Sequence, residues 1–359
     1  METNNLNELK EVISFFNIEG DVIDIVRYGE GHINVTYLVT TNKKQYILQR
    51  INNQIFPNVN GLMNNISLVT NYIKQKLSNN EKERKTLSIV KSKDNHDYIK
   101  YKDGYYRVYI FIYDSVCYQI VRSKEDFYKA AKSFGDFYKL LDGFDTSKLI
   151  EIIPNFHNTK IRYENFLKAL KEDKLNRAKN CLKEIEFVKS REHYYSKIVD
   201  MLNHKEIPLK VTHNDTKLNN ILFDKYTNNP LAVIDLDTIM PGTILYDFGD
   251  SIRFGCNPCL EDEKDLSKVN FQFHLYKAYL KGFLEALGDS ITQKEKENLA
   301  LSSIMMTIEC GMRFLGDYLS GDTYFHINRE GQNLDRARTQ FKLIADMEKI
   351  FDKMNDLIK

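Results

Sequence analysis

Tryptophan is absent from this chain, and proline and cysteine are sparse, at six and five among 359 residues. So few prolines, with no long Gly/Ser tract, exclude an extended linker, and any two domains must be closely joined. An odd number of cysteines fits reduced thiols and argues against a disulfide framework. A surplus of either charge is also missing: 51 basic residues against 50 acidic ones leave a formal charge of +1. That balance argues against a dedicated nucleic-acid surface, which needs a basic stripe. No apolar run approaches the ~20 residues that cross a bilayer. The opening METNNLNELKEV has no basic segment leading into an apolar one. The expectation is a cytoplasmic globular protein with no membrane or nucleic-acid partner and with a monomer favoured. A composition that is 42% hydrophobic and 12% aromatic is enough for a sizeable core.

The hydrophobic period changes along the chain. Residues 6–18 read as a short amphipathic helix, and 22–51 alternate as strands do, broken at Gly29-Glu30-Gly31 and at Thr41-Asn42-Lys43-Lys44. A helix follows near 62–77, and strand-like runs return at TLSIV and YYRVYIFIY. Residues 1–112 therefore read as a small antiparallel sheet with one or two helices. From 113 to 359 the spacing is helical, with Phe127, Ala131, Phe134, Phe137, Tyr138 and Leu141 on one face. Further helical patterns span 158–204, 268–287, 293–320 and 332–357.

Within the helical part lies a β-like island, LKVTHNDTKLNNILFD and then LAVIDLD. It holds His213, Asn214, Asp215, Asn219, Asn220, Asp235 and Asp237. Asp215 and Asn220 lie across a turn and can face one cavity. Asp235 and Asp237, two apart on a segment expected to be extended, would point to one side. Carboxylate and amide oxygens are hard ligands suited to Mg²⁺, with substrate phosphates completing its shell. A carboxylate left free of metal can orient a hydroxyl and take its proton, which is what phosphoryl transfer requires. The bland reading is that Asx residues cap turns; it serves any one of these residues, but not all of them at this spacing.

The run from His213 to Asn220, followed by Ile234-Asp235-Leu236-Asp237, resembles the active site of aminoglycoside phosphotransferase-like kinases. The resemblance implies an α+β, two-lobed, protein-kinase-like fold with a small antiparallel-sheet N-lobe and a larger helical C-lobe, binding ATP between them. It implies Asp215 as catalytic base, Asn220 and Asp235 as holders of Mg²⁺, and His213 as support for the loop. Asp237 would meet a second metal or fix the turn. GEGHINVTY, YILQRIN, VIDLDTIMPG, YDFGDSIR, RFLGDYLSGDTYF and NLDRARTQFKL extend the likeness to kinases of this family that phosphorylate the anomeric hydroxyl of N-acetylhexosamines. That likeness implies sugar contacts from His32, Arg313 and Tyr324, with Asp215 beside the C1 hydroxyl. ATP and a small sugar are the implied partners.

For the nucleotide, Gly29 and Gly31 let backbone approach phosphate, or form only a hairpin turn. The third-strand position where such kinases keep a lysine holds Gln49. Alternation points Ile47 and Gln49 towards the nucleotide and Arg50 away, so either Arg50 reaches round or the metal and main chain carry the charge work. Residues 108–114 would form the hinge, or simply an edge strand. Between Met305 and Phe341 five acids face four arginines, which suits a neutral polyhydroxylated ligand better than a cation. Cys256-Asn257-Pro258-Cys259 has no second ligand pair for zinc and reads as packing. Asp250 and Arg253 read as an ion pair. The rival readings are a kinase of the same fold acting on an amino sugar, choline or a thioribose, a nucleotide-binding regulator without transfer, and a metal-dependent hydrolase.

Overall fold

A computed structural model describes residues 6–29 and 33–358. The chain forms two compact units. The first comprises Met1–Cys117, Leu140–Ile153 and Asn220–Met240, the second Tyr118–Lys139, Pro154–Asn219 and Pro241–Lys359.

The first unit opens with helix α1 (Leu6–Ser14). Strands β1 (Val22–Arg27), β2 (Val35–Thr41) and β3 (Gln45–Ile51) follow, then helix α2 (Val59–Lys76). Strands β4 (Ile89–Val90), β5 (Ile99–Tyr101) and β6 (Gly104–Ile110) complete a six-stranded antiparallel sheet. Its order is β1-β2-β3-β6-β4, with β5 also paired to β6. Strict alternation in β2 buries Val35, Tyr37, Val39 and Thr41. One sheet face meets α1, whose Leu9, Val12 and Ile13 recur at helical spacing and pack with Tyr37, Leu48, Tyr106 and Val108. The opposite face carries Thr36, Gln49 and Arg107 in adjacent register. Helix α2 starts where the Asn58 side chain accepts from the Gly61 N–H. Strands β7 (Ser115–Val116), β9 (Ile221–Asp224) and β10 (Pro230–Val233) form a second small sheet in this unit, ordered β10-β9-β7.

The second unit is mainly helical, with the short strand β8 (Lys210–Thr212) and most of β11 (Met240–Gly242) beside α3 (Lys124–Leu140), α4 (Thr159–Glu172), α5 (Leu182–Lys189), α6 (Lys197–Asn203), α7 (Ile244–Gly255), α8 (Phe273–Leu287), α9 (Gln293–Glu297), α10 (Leu299–Ser320), α11 (Gln332–Lys349) and α12 (Phe351–Asp356). Helix α10 is its hub and packs against α4, α7 and α11. Its 22 residues have the length and mean hydropathy of a membrane span, although no apolar run of that kind was expected. Its apolar side chains are buried among neighbouring helices instead.

The expected helical stretch 158–204 is interrupted, because Asp173 takes a left-handed conformation (φ +33) and ends α4. Helix α7 was not anticipated. Its polar residues Asp247, Asp250, Ser251 and Arg253 recur at three- to four-residue steps, but this face is buried within the protein and is not turned to solvent.

Candidate active site

In the first unit the island's second half is extended only through β10, and the segment that carries Asp235 and Asp237 is not. Asp235 sits in the left-handed region (φ +58, ψ +55), and Leu236–Thr238 form a 3-10 turn after it. Asp235 is exposed while Asp237 is 3% exposed, so the two carboxylates meet different surroundings. The expectation that they share one side fails because the turn breaks the two-residue period. Aspartate tolerates this backbone better than most residues. The turn packs on α2, where buried Asn65 donates to the carbonyls of Ile239 (2.9 Å) and Ile150 (2.7 Å) and accepts from the Ile150 N–H. Asn220 is buried, and its carbonyl accepts the Ile234 N–H at 2.9 Å, joining the ends of β9 and β10 just before Asp235.

Asp237 is committed to protein partners. Its Oδ1 is 2.6 Å from Arg107 Nη1, and its Oδ2 accepts from Asn34 Nδ2 at 2.5 Å. Arg107 Nε donates to Gln49 Oε1 at 2.9 Å, and Gln49 Nε2 donates in turn to Thr36 Oγ1. The guanidinium also lies 5.2 Å from the Tyr109 ring centroid. Burial alone would disfavour this charge, but Asp237, Tyr109 and Asp235 outweigh it and hold the guanidinium more firmly protonated than usual. Removing one member of such a buried pair leaves the other charge uncompensated, at about 3–5 kcal/mol.

The residues that would hold a metal are Asp235, through its carboxylate, and Asn220, through its amide oxygen. Two hard oxygens suit Mg²⁺, which keeps waters and substrate phosphates in its shell, and do not suit zinc. Among the described residues no group of three or more His, Cys, Asp or Glu side chains could hold a metal. Of the nucleotide residues, Gly29 is exposed with φ +72 and open space where a Cβ would stand. Gly31 and His32 lie outside the described residues. Arg50 pairs with Asp103 at 2.9 Å, on the strand position next to Gln49.

In the second unit the loop after β8 carries Asp215. Asn214 has φ +63, a conformation asparagine adopts more readily than bulkier residues. Fully buried Asp247, on α7, accepts the N–H groups of both His213 and Asn214 at 2.7 Å and the Tyr138 hydroxyl at 2.5 Å. Burial pushes its carboxyl above the ordinary value despite these donors. The Thr216 hydroxyl donates to the Asp247 carbonyl, and Ser251 Oγ donates to the Thr216 carbonyl. His213 has no exposure, lies edge-on to Phe134 and Phe137, and its Nδ1 accepts the Asp215 N–H at 3.3 Å. It is a loop support. Asp215 itself is partly exposed, with Lys217 Nζ 2.7 Å from its Oδ1. The attraction of Asp215 pushes the Lys217 ammonium well above its usual range. Sequence reasoning gave Lys217 no role; its signal was the two-residue step from Asp215.

Also in the second unit, Arg313 on α10 and Tyr324 are brought together, Nη2 to Oη 3.4 Å. The guanidinium stands 5.5, 5.7 and 5.4 Å from the ring centroids of Phe156, Tyr324 and Phe325. Asp317, one turn beyond Arg313, accepts the N–H groups of Thr323, Tyr324 and Phe325, each at 2.9 Å, and so fixes the backbone that carries Tyr324. Beneath lies buried Glu309, bonded to His157 Nδ1 (2.8 Å) and Thr159 Oγ1 (2.7 Å). Burial raises the Glu309 carboxyl, but the charges of His157, Arg313 and Arg162 prevail and hold it below its ordinary 4.5. Asp250 and Arg253 pair at 2.8 Å, and Arg253 also meets Glu261. Burial pushes both the Cys256 and Cys259 thiols up, which leaves them protonated and unsuited to redox or metal work.

Residues 100–265 match the Phosphotransferase enzyme family. An aminoglycoside phosphotransferase from Alicyclobacillus acidocaldarius superposes with a TM-score of 0.62 at 12% identity, covering 99% of this chain and 98% of that one. A choline kinase from Streptococcus pneumoniae gives 0.56 at 15% identity, covering 94% and 98%. A spectinomycin phosphotransferase solved with ADP and spectinomycin gives 0.58 at 12% identity, covering 98% and 100%. The fold is that of the aminoglycoside phosphotransferase-like kinases, an antiparallel sheet with a large helical region.

Proposed function

We propose, starting from a phosphotransferase-family core over residues 100–265, that the chain is an ATP-dependent N-acetylhexosamine 1-kinase. Asp215 accepts a hydrogen bond from the anomeric hydroxyl and takes its proton. The hydroxyl oxygen forms a bond to the γ-phosphorus, the bond from that phosphorus to the ADP oxygen breaks, and ADP leaves. The C1–O bond is untouched, so the anomeric configuration is kept. Asn220 and Asp235 would hold Mg²⁺, which when bound neutralises the phosphates. Lys217 beside Asp215 holds that carboxylate in place.

One observation carries the choice of a neutral sugar over a cationic alcohol. An aromatic cage suits a quaternary ammonium ligand. Here the rings of Phe156, Tyr324 and Phe325 already surround a cation of the protein's own, Arg313. A guanidinium presented by aromatic rings has donors for hydroxyl and acetamido oxygens and repels a positively charged substrate.

The test is mass spectrometry of products from a mixture of hexoses, N-acetylhexosamines, choline and amino alcohols with ATP and Mg²⁺. N-acetylhexosamine 1-phosphates should dominate; phosphocholine or an amino-alcohol phosphate as the main product would overturn the reading. In the same assay Asp215→Asn should lower kcat by about 10²–10⁴-fold while sugar and ADP still bind. Near-normal turnover in that variant would remove Asp215 as the base.

A further inference from the structure

Kinases of this general architecture hold a lysine on the third strand, paired to a carboxylate, and need that pair in place to act. In this chain the position is Gln49, which brings no charge. The sheet register sets Arg107 of β6 directly opposite Gln49, with its Nε bonded to the Gln49 amide oxygen. Arg107 is 1% exposed, and its carboxylate partner is Asp237, two residues past Asp235. The other oxygen of Asp237 takes the Asn34 amide, and the Asn34 oxygen accepts the Asn52 N–H at 2.9 Å. One guanidinium therefore ties together strand β3, the start of β2 next to the glycine turn, and the turn that carries Asp235.

We infer that Arg107 replaces the third-strand lysine as the positioning cation of this site, and that Asp237 is its counter-ion and not a second metal ligand. The inference rests on the phosphotransferase reading. Asp237 Oδ2 is hydrogen-bonded to Asn34, and Oδ1 stands in ion-pair contact with Arg107 without hydrogen-bond geometry, so coordinating a metal through either would unpair a buried amide or guanidinium. By holding Asp237, Arg107 fixes the left-handed backbone at Asp235, and its charge offsets the repulsion between the two carboxylates. The sequence departure at Gln49 thus has a structural counterpart one strand away.

Calorimetric titration with MgADP, together with rates measured against Mg²⁺ and sugar concentration, tests this. Arg107→Gln should weaken MgADP binding and raise the Mg²⁺ concentration for half-maximal rate by about 10–100-fold, with the KM for sugar changed by no more than about twofold. In Gln49→Lys/Arg107→Gln a lysine amine enters the vacated space, and most of the lost affinity should return. Arg107→Gln/Asp237→Asn should bind MgADP more tightly than Asp237→Asn alone, because the double variant leaves no lone buried charge whereas each single variant does. Unchanged MgADP affinity in folded Arg107→Gln overturns the inference. So does an Asp237→Asn defect that the neutral double variant leaves in full, since that marks a metal ligand. Should Arg107→Gln fail to fold, Arg107→Lys carries the test: several-fold weaker MgADP binding supports the role and unchanged binding overturns it. A wild-type chain that takes up no MgADP overturns the phosphotransferase reading as well, whereas the other adverse outcomes strike this inference alone.

Discussion

Lys217 shows how one side chain can shape the loop that we propose to be catalytic. Its ammonium lies 2.7 Å from the Asp215 carboxylate, and the pairing raises the affinity of the lysine for its proton. Lys217→Met should lower kcat about tenfold, with sugar KM changed little, as expected for a charge-assisted contact made at the reacting centre. Because the lysine stays protonated, the wild-type rate should show no alkaline limb from this group below about pH 10. Steady-state kinetics across pH checks both statements. Asp215 and Asn220 could be proposed from the sequence because they lie five residues apart in one short run, where spacing is a local signal. Arg107 could not. Its importance comes from a cross-strand partner 58 residues away and from complete burial, and neither leaves a mark in local sequence.

At the level of elements, α7, packed on α10, holds the loop after β8, since Asp247 of α7 accepts both the His213 and Asn214 N–H groups. The close approach depends on Gly249: a Cβ there would come within 2.3 Å of the Ser302 carbonyl oxygen, a backbone atom that cannot swing aside. Gly249→Ala should destabilise the protein by about 1–3 kcal/mol. Gly316, on α10, is the internal contrast, because the nearest heavy atom to its added Cβ would be 3.9 Å away. Gly316→Ala should be neutral or stabilising, by up to about 1 kcal/mol, since alanine is the better helix former. Thermal melts of the two variants side by side decide the point. The strands from 22 to 51 were legible because alternation is a local signal. Helix α7 was not anticipated, although its polar residues keep helical spacing; they face protein partners such as the His213–Asn214 backbone, and that burial shows only in the tertiary structure.

Across the whole molecule two buried carboxylates respond to acid in opposite senses. Glu309 is held below its ordinary 4.5 by His157 and two arginines, so its stabilisation is full above about pH 4.5 and is lost as pH falls through the folded value. Asp247 is raised by burial, so the stability it contributes is full below its ordinary 3.8 and is lost as pH rises through its folded value. Glu309→Gln should therefore lower the melting temperature at neutral pH and flatten its decline below about pH 4.5, measured by calorimetry over pH 3–7; an acid decline as steep as the wild type's would refute the assignment. The sequence by itself determined the sheet-then-helix order and supplied the grounds for the proposed chemistry, because both are written in neighbours a few residues apart. Only the tertiary structure decided that Asp235 and Asp237 face different surroundings, that an arginine stands opposite Gln49, and that Arg313 fills its own aromatic cage. Those facts depend on strand register, on a left-handed turn and on which charges are removed from water together, and such relations exist only once distant segments have packed.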